Sequence, residues 1–235
     1  AFDQITNFAA KSRYRWGAGV PIVVRGPSGG NTHGGPFHSQ NVESFFLNTP
    51  GLKIVQPSTA YDAKGLIKAA IRDEDPVLYF EHKYLYRRIK EEIPEEDYTV
   101  PIGKAAIRRE GSDLGIITYG ATVYTALEAA AVLAKDGVET EVLDVRTLAP
   151  LDEEAILETT AKTGKVIVLH EACLTGGAGG EIAARIAQKA FDFLDGPVVR
   201  VAAKDTPVPY SPPLEEFFLP KVADVLAAAR NLLDY

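Results

Sequence analysis

A chain of 235 residues with 46% hydrophobic and 24% charged residues has the make-up of a globular protein with one large core or two modest ones. Its net charge of −7 argues against a role built on nucleic acid or anionic membrane, since both require a positive surface. Lys11, Arg13 and Arg15 form the one dense basic stretch and suit a solvated helix face. The single cysteine, Cys173, excludes an internal disulfide framework and fits a reducing compartment, cytoplasm or mitochondrial matrix. No apolar run approaches the ~20 residues of a membrane helix.

From the first residues, Phe2, Ile5, Phe8 and Ala9 show helical spacing without a preceding cap, and the chain holds no methionine. The sequence therefore reads as beginning inside a folded element. Val20–Arg25 is expected as a short buried strand, followed by a loop over Gly26–Gly35, where six of ten residues are Gly or Pro. Leu52–Val55 reads as a strand, Thr59–Asp73 as a helix capped by Ser58, and Val77–Phe80 as a strand. Lys90–Tyr98 is dominated by acidic charge and interrupted by Pro94, with no apolar period, so residues 89–104 are assigned to a linker between domains.

The alternation then restarts. Strands are expected at Leu114–Tyr119, Thr140–Val145, Lys165–Leu169 and Pro197–Ala202. Helices are expected at Ala121–Lys135, Asp152–Ala161, Glu181–Leu194 and Lys221–Leu233. The first carries Val123, Leu127, Ala130 and Ala134 on one face, and the third carries Ile182, Ile186 and Phe193 near one stripe. Strand–helix alternation of this kind defines an α/β fold of two domains, the second doubly wound.

Open α/β sheets present ligands at the carboxyl ends of their strands, so the loop after the first strand is the first place to look for chemistry. It carries Gly29, Gly30, Gly34 and Gly35, then Pro36-Phe37-His38-Ser39-Gln40. Glycines let backbone approach a ligand, and a displayed imidazole exchanges protons near neutral pH, which makes His38 an acid–base candidate. The alternative is a surface histidine whose glycines merely turn the chain. His33, His82 and His170 rank lower, with structural hydrogen bonds the expected role for the last two. Thr175–Gly180 opens a helix but matches neither a dinucleotide fingerprint nor a P-loop, and close packing is the favoured reading. The histidines lack metal-ligand spacing, and no Gly-x-Ser-x-Gly elbow occurs.

Taken together, several blocks resemble one family. Gly34-Gly35-Pro36-Phe37-His38-Ser39-Gln40 is similar to the histidine loop in beta subunits of pyruvate and branched-chain 2-oxo acid dehydrogenases. Pro50–Val55, Tyr61–Leu66, Ala70–Asp73, Asp144–Leu148, Lys162–Gly164, His170–Ala172 and Asp205–Tyr210 follow in family order. The resemblance implies a transketolase-like arrangement: residues 1–88 as the C-terminal part of a pyrimidine-binding domain, and 105–235 as a transketolase C-terminal-like domain. It implies thiamine-diphosphate-dependent decarboxylation of a small 2-oxo acid, branched-chain or pyruvate, and passage of the acyl group to a lipoyl-bearing acyltransferase component. It also implies an alpha subunit partner in an α2β2 heterotetramer.

In that family the histidine matching His38 performs acid–base work. A structural potassium ion would rest on backbone carbonyls, here those of Ile22, Ala70, Ile71, Asp73 and Asp75, beside a helix C-terminus. The glutamate that activates the cofactor's aminopyrimidine precedes the first residue given, and the Gly-Asp-Gly motif for diphosphate and magnesium belongs to the alpha subunit. The chain alone is therefore expected to be inactive. The competing expectations are another transketolase-like enzyme fragment, such as a deoxyxylulose-phosphate synthase, and a non-catalytic scaffold subunit.

Overall fold

A computed structural model describes residues 1–235. Residues 4–16 wind through π and 3-10 turns into α1 (Ser12–Trp16), which Gly17 ends in a left-handed conformation. Strand β1 (Val23–Ser28) follows, three residues later than the sequence suggests, because Gly26 and Pro27 continue the ladder to Phe80 and Glu81. The glycine-rich stretch thus loops only from Gly29, through the short helix α2 (Gly35–His38).

Strand β2 (Lys53–Val55) leads to α3 (Ala60–Ile71), then β3 (Val77–His82). Thr59, not Ser58, caps α3: its hydroxyl accepts from Asp62 N–H at 3.1 Å. Ser58 instead bonds the Asp144 carboxylate at 2.5 Å. Residues 89–105 carry no helix or strand. They lie along α3, where Asp97 pairs with Lys68 and Arg72 and Tyr98 stacks on Tyr61.

The second half begins with β4 (Ala106–Arg109), a short edge strand that sequence periodicity does not reveal. Strand β5 (Leu114–Thr118), α4 (Thr122–Leu133), β6 (Thr140–Asp144), β7 (Thr147–Ala149), α5 (Glu153–Thr163) and β8 (Val166–Cys173) succeed it. The chain closes with α6 (Ala178–Lys189), β9 (Val199–Ala203), α7 (Pro212–Phe218) and α8 (Val222–Leu233). Helix α4 buries Val123, Ala126, Ala129, Ala130 and Leu133, so its core stripe is rotated from the expected one, with small alanines seated on the sheet. Helix α6 starts three residues before the expected Glu181 and ends at Lys189. Phe193 consequently falls in a separate 3-10 turn and is exposed.

Two sheets result, ordered β1-β3-β2-β7 and β4-β6-β5-β8-β9. Within them β1, β3 and β2 are mutually parallel, as are β6, β5, β8 and β9, while β4 and β7 run antiparallel at edges. The second sheet is covered by α4 and α8 on one face, through Ala126, Leu133, Val225 and Leu232. Its other face contributes Ile117, Leu143 and Val168 to an apolar core shared with Ile54, Leu78 and Phe80 of the first sheet.

The two halves are locked together in two further ways. Strand β7 belongs by sequence to the second half but pairs with β2, matching Ile54 to Ala149 and Val55 to Thr147. Beside it lies a buried charge network. Arg146 Nη1 donates to Asp62 at 2.8 Å, Arg108 donates to Asp62 and, at 2.8 Å, to Asp144. Arg146 also donates to the carbonyls of Lys104 and Ala105 at 2.9 and 2.8 Å. Burial pushes the Asp144 carboxyl up, and the Arg108 guanidinium opposes that shift. Such a network is tolerable away from water only because every charge has partners.

Candidate active site

The carboxyl ends of β1, β3 and β2 bring Ser28, His82 and Gln56 to one edge of the first sheet. The loop leaving β1 crosses over His82, and only glycine can make that crossing. Gly29 has φ +91°, and a methyl group on it would overlap the His82 ring. Beyond it the chain forms a compact loop: Gly29 N–H donates to the Gln40 carbonyl at 3.3 Å, closing the neck. Inside, Ser39 Oγ accepts from Gly34 N–H at 2.9 Å and lies 3.1 Å from Thr32 Oγ1.

This loop displays His38 at the end of α2, exposed, with no side-chain hydrogen bond. Phe37 beside it is 79% exposed. The imidazole is thus presented outward on a knitted support rather than packed as a prop. His33, also on the loop, faces the buried Glu215 carboxylate of α7 at 2.6 Å.

The other two histidines are interior. His82 Nε2 lies 2.8 Å from Glu171 Oε2, the structural bond expected of it. Glu171 Oε1 accepts from Gly30 N–H at 2.7 Å and from Asn41 Nδ2 at 2.8 Å. Burial alone would raise the Glu171 carboxyl, but His82 opposite and these donors hold it below its ordinary value.

His170 departs from expectation: it is fully buried and neither ring nitrogen has a hydrogen-bond partner within the chain. It stacks on Tyr119 at 6.2 Å, and burial pushes it down to about 4. The glycine-rich turn before α6 is explained by the same ring. Side chains at Gly177 or Gly179 would collide with His170, so this turn is made for close packing. Tyr119 in turn donates to the buried Glu43 at 2.9 Å, and burial raises that carboxyl despite the hydrogen bond.

The five carbonyl residues expected at a cation site cluster where α3 ends and β1 begins. The carbonyls of Ile71, Asp73 and Asp75 accept no hydrogen bond within the chain. That of Ile22 accepts from Val77 N–H at 3.0 Å and that of Ala70 from Asp73 N–H at 3.3 Å. Their carboxylates are engaged elsewhere, Asp73 with Lys53 at 2.6 Å and Asp75 with Arg13 at 2.5 Å. No group of three or more His, Cys, Asp or Glu side chains is arranged to hold a metal, so a cation here would depend on backbone dipoles.

A slot of about 190 Å³ opens at the same sheet edge between Ser58, Thr59, Glu81, His82, Leu85, Tyr86 and Ile89. It has room for a small ring and no cationic side chain to hold a diphosphate. Glu171, Glu215 and Asn41 were beyond the reach of sequence reading. The two carboxylates signal only as acidic residues in a strand and a short helix, and their contacts reach across 89 to 182 positions.

The two halves that frame this edge are those of a transketolase-like protein. Residues 1–88 match the family profile of the transketolase pyrimidine binding domain and residues 103–225 that of the transketolase C-terminal domain. Among solved structures, a split-gene transketolase forming an inactive beta4 tetramer superposes with a TM-score of 0.73 at 24% identity, over 99% of this chain and 73% of that one.

The 2-oxoisovalerate dehydrogenase subunit beta of Bacillus subtilis (strain 168) is 52% identical over 240 residues, covering 100% of this chain and 73% of its own length. The pyruvate dehydrogenase E1 component subunit beta of the same organism is 46% identical, covering 99% and 72%. An acetoin:2,6-dichlorophenolindophenol oxidoreductase subunit beta from Cupriavidus necator is 47% identical, covering 99% and 69%. The chain belongs to the family of beta subunits of thiamine-diphosphate-dependent 2-oxo acid dehydrogenases.

Proposed function

We infer that this beta subunit acts with an alpha subunit, in an α2β2 heterotetramer, to decarboxylate a branched-chain 2-oxo acid or pyruvate and pass the acyl group to lipoyl on an acyltransferase. The observation that carries the reading is His38: an exposed imidazole held on a knitted loop at the carboxyl end of a parallel strand. The 52% identity to a 2-oxoisovalerate dehydrogenase subunit supports the branched-chain substrate.

Thiamine diphosphate, when bound, supplies the electron sink for the decarboxylation. This chain fits only part of that cofactor's needs. It offers His38 for proton transfer and a slot for a ring, while the diphosphate and its magnesium require the alpha subunit's Gly-Asp-Gly motif, which this chain lacks. Alone, the chain is inactive on this reading. His38 holds or delivers a proton at its exposed ring nitrogens, and Phe37 beside it supplies apolar surface that a partner subunit would cover, excluding water. Potassium would be held by the carbonyls of Ile22, Ala70, Ile71, Asp73 and Asp75, the open oxygens of Ile71, Asp73 and Asp75 supporting that assignment.

Replacing His38 with Ala in the assembled heterotetramer tests the reading. Lipoyl acylation should fall by roughly 10²–10⁴-fold, the usual value of a placed acid–base group, with melting temperature and cofactor affinity little changed. Retention of most of the rate would return His38 to an ordinary loop residue and favour the scaffold role.

A further inference from the structure

We propose that Glu171 and Glu215, two carboxylates of the second domain, are positioning residues that set the loop carrying His38. The inference rests on the acid–base reading of His38 and adds what places it.

The loop makes its internal bonds through its own residues, but its attachment points lie elsewhere. Glu171, on β8, takes hold of both ends: Gly30 N–H at 2.7 Å and Asn41 Nδ2 at 2.8 Å converge on one carboxylate oxygen. The other oxygen meets His82 at 2.8 Å, so the carboxylate cannot swing. Glu215, on α7, takes hold of the middle. Its Oε2 lies 2.6 Å from His33 Nδ1 and accepts from His33 N–H at 3.3 Å. Asn31 and His33 both stand at positive φ, +59° and +55°, a conformation that needs support from outside the loop.

Packing repeats the pattern. A side chain at Gly30 would crowd Leu219, and one at Gly35 would overlap the Tyr210 ring; both neighbours belong to the second domain. A loop of the first domain is therefore referenced to the second at residues 30, 33, 35 and 41. His38 lies three residues from the last of these. Burial strengthens the Glu171 grip, because its carboxylate and His82 are both almost fully buried and their hydrogen bonds act in a medium poor in water, while His33 opposite the buried Glu215 is half exposed.

A double-mutant cycle in the assembled heterotetramer, with lipoyl domain as acceptor, tests the grip. Glu171→Ala should lower kcat by roughly 10²-fold, the cost of about 1 Å of misplacement, with KM for the 2-oxo acid nearly unmoved. Glu171→Gln keeps an acceptor oxygen for Gly30 and Asn41 and should recover most of the rate. In a His38→Ala background, Glu171→Ala should cost less than about threefold more, since nothing is left to position. Amide hydrogen exchange should quicken across residues 30–41 while the rest of β8 keeps its protection.

Additive losses in the cycle, or unchanged exchange in residues 30–41, overturn the proposal. Normal turnover of His38→Ala alone overturns the acid–base reading instead, and the exchange measurement then decides the grip by itself. If Glu171→Ala does not assemble, Glu215→Ala tests the same grip from the surface helix α7, by the same readouts.

Discussion

Acid should destabilise this protein through one interior residue. His170 is neutral in the fold, pushed down by burial from 6.5 to about 4, whereas an unfolded chain protonates it at its ordinary value. The unfolded state therefore binds more protons between those two values. The contribution of His170 is intact above pH 6.5, shrinks as pH drops through that value, and is fully lost near pH 4. A shift of this size corresponds to about 3 kcal/mol at full protonation and about 2 kcal/mol at pH 5. For a chain of this length, 2 kcal/mol is roughly 4–8 °C in melting temperature.

Burial also raises the carboxyls of Glu43 and Asp144, so pH acts on stability through other groups as well. The measurement is therefore a difference of differences. Melting temperatures of the wild-type chain and His170→Gln are recorded by circular dichroism at pH 7.5 and pH 5.0. The wild type should lose roughly 4–8 °C more than the variant between the two pH values. Equal losses in the two proteins would show that His170 does not charge on unfolding and would refute the reasoning.

At the domain junction, Asp62→Ala strips Arg146 and Arg108 of a shared buried partner and should cost about 3–5 kcal/mol in urea unfolding. A loss under about 1 kcal/mol would mean that the remaining carbonyls and Asp144 suffice. Potassium should raise the melting temperature more than equal ionic strength of a large organic cation, because a bound ion stabilises the native state by mass action. Superimposable melts in the two salts would remove the carbonyl site at Ile71, Asp73 and Asp75.

How much of this was legible in the sequence depends on the range of the interaction that decides each feature. The central strands β5, β6 and β8 were readable because both faces are buried, leaving continuous apolar runs such as Leu114–Thr118. The edge strands β4 and β7 were not. Ala106–Arg109 places two arginines on a ladder, and Thr147–Ala149 is three residues long, so each is a strand only because a neighbour offers hydrogen bonds. The same limit moved the cap of α3 by one residue. Ser58 and Thr59 are equivalent locally, and Asp144, 86 positions away, engages the serine. At the site, His38 was legible as a candidate from glycine content and resemblance. The carboxylates holding its loop were not, since nothing near Glu171 or Glu215 in sequence announces a partner.

The donated strand β7 also bears on how the nascent chain folds. Until residue 149 has emerged, β2 has no cover on its outer side, and three parallel strands stand with an open ladder. About ninety residues separate the two partners, which at ribosomal speed leaves that edge bare for on the order of ten seconds. The acidic segment that lies along α3, with Glu91 bonded to the amides of Ala60 and Tyr61, is synthesised inside that interval.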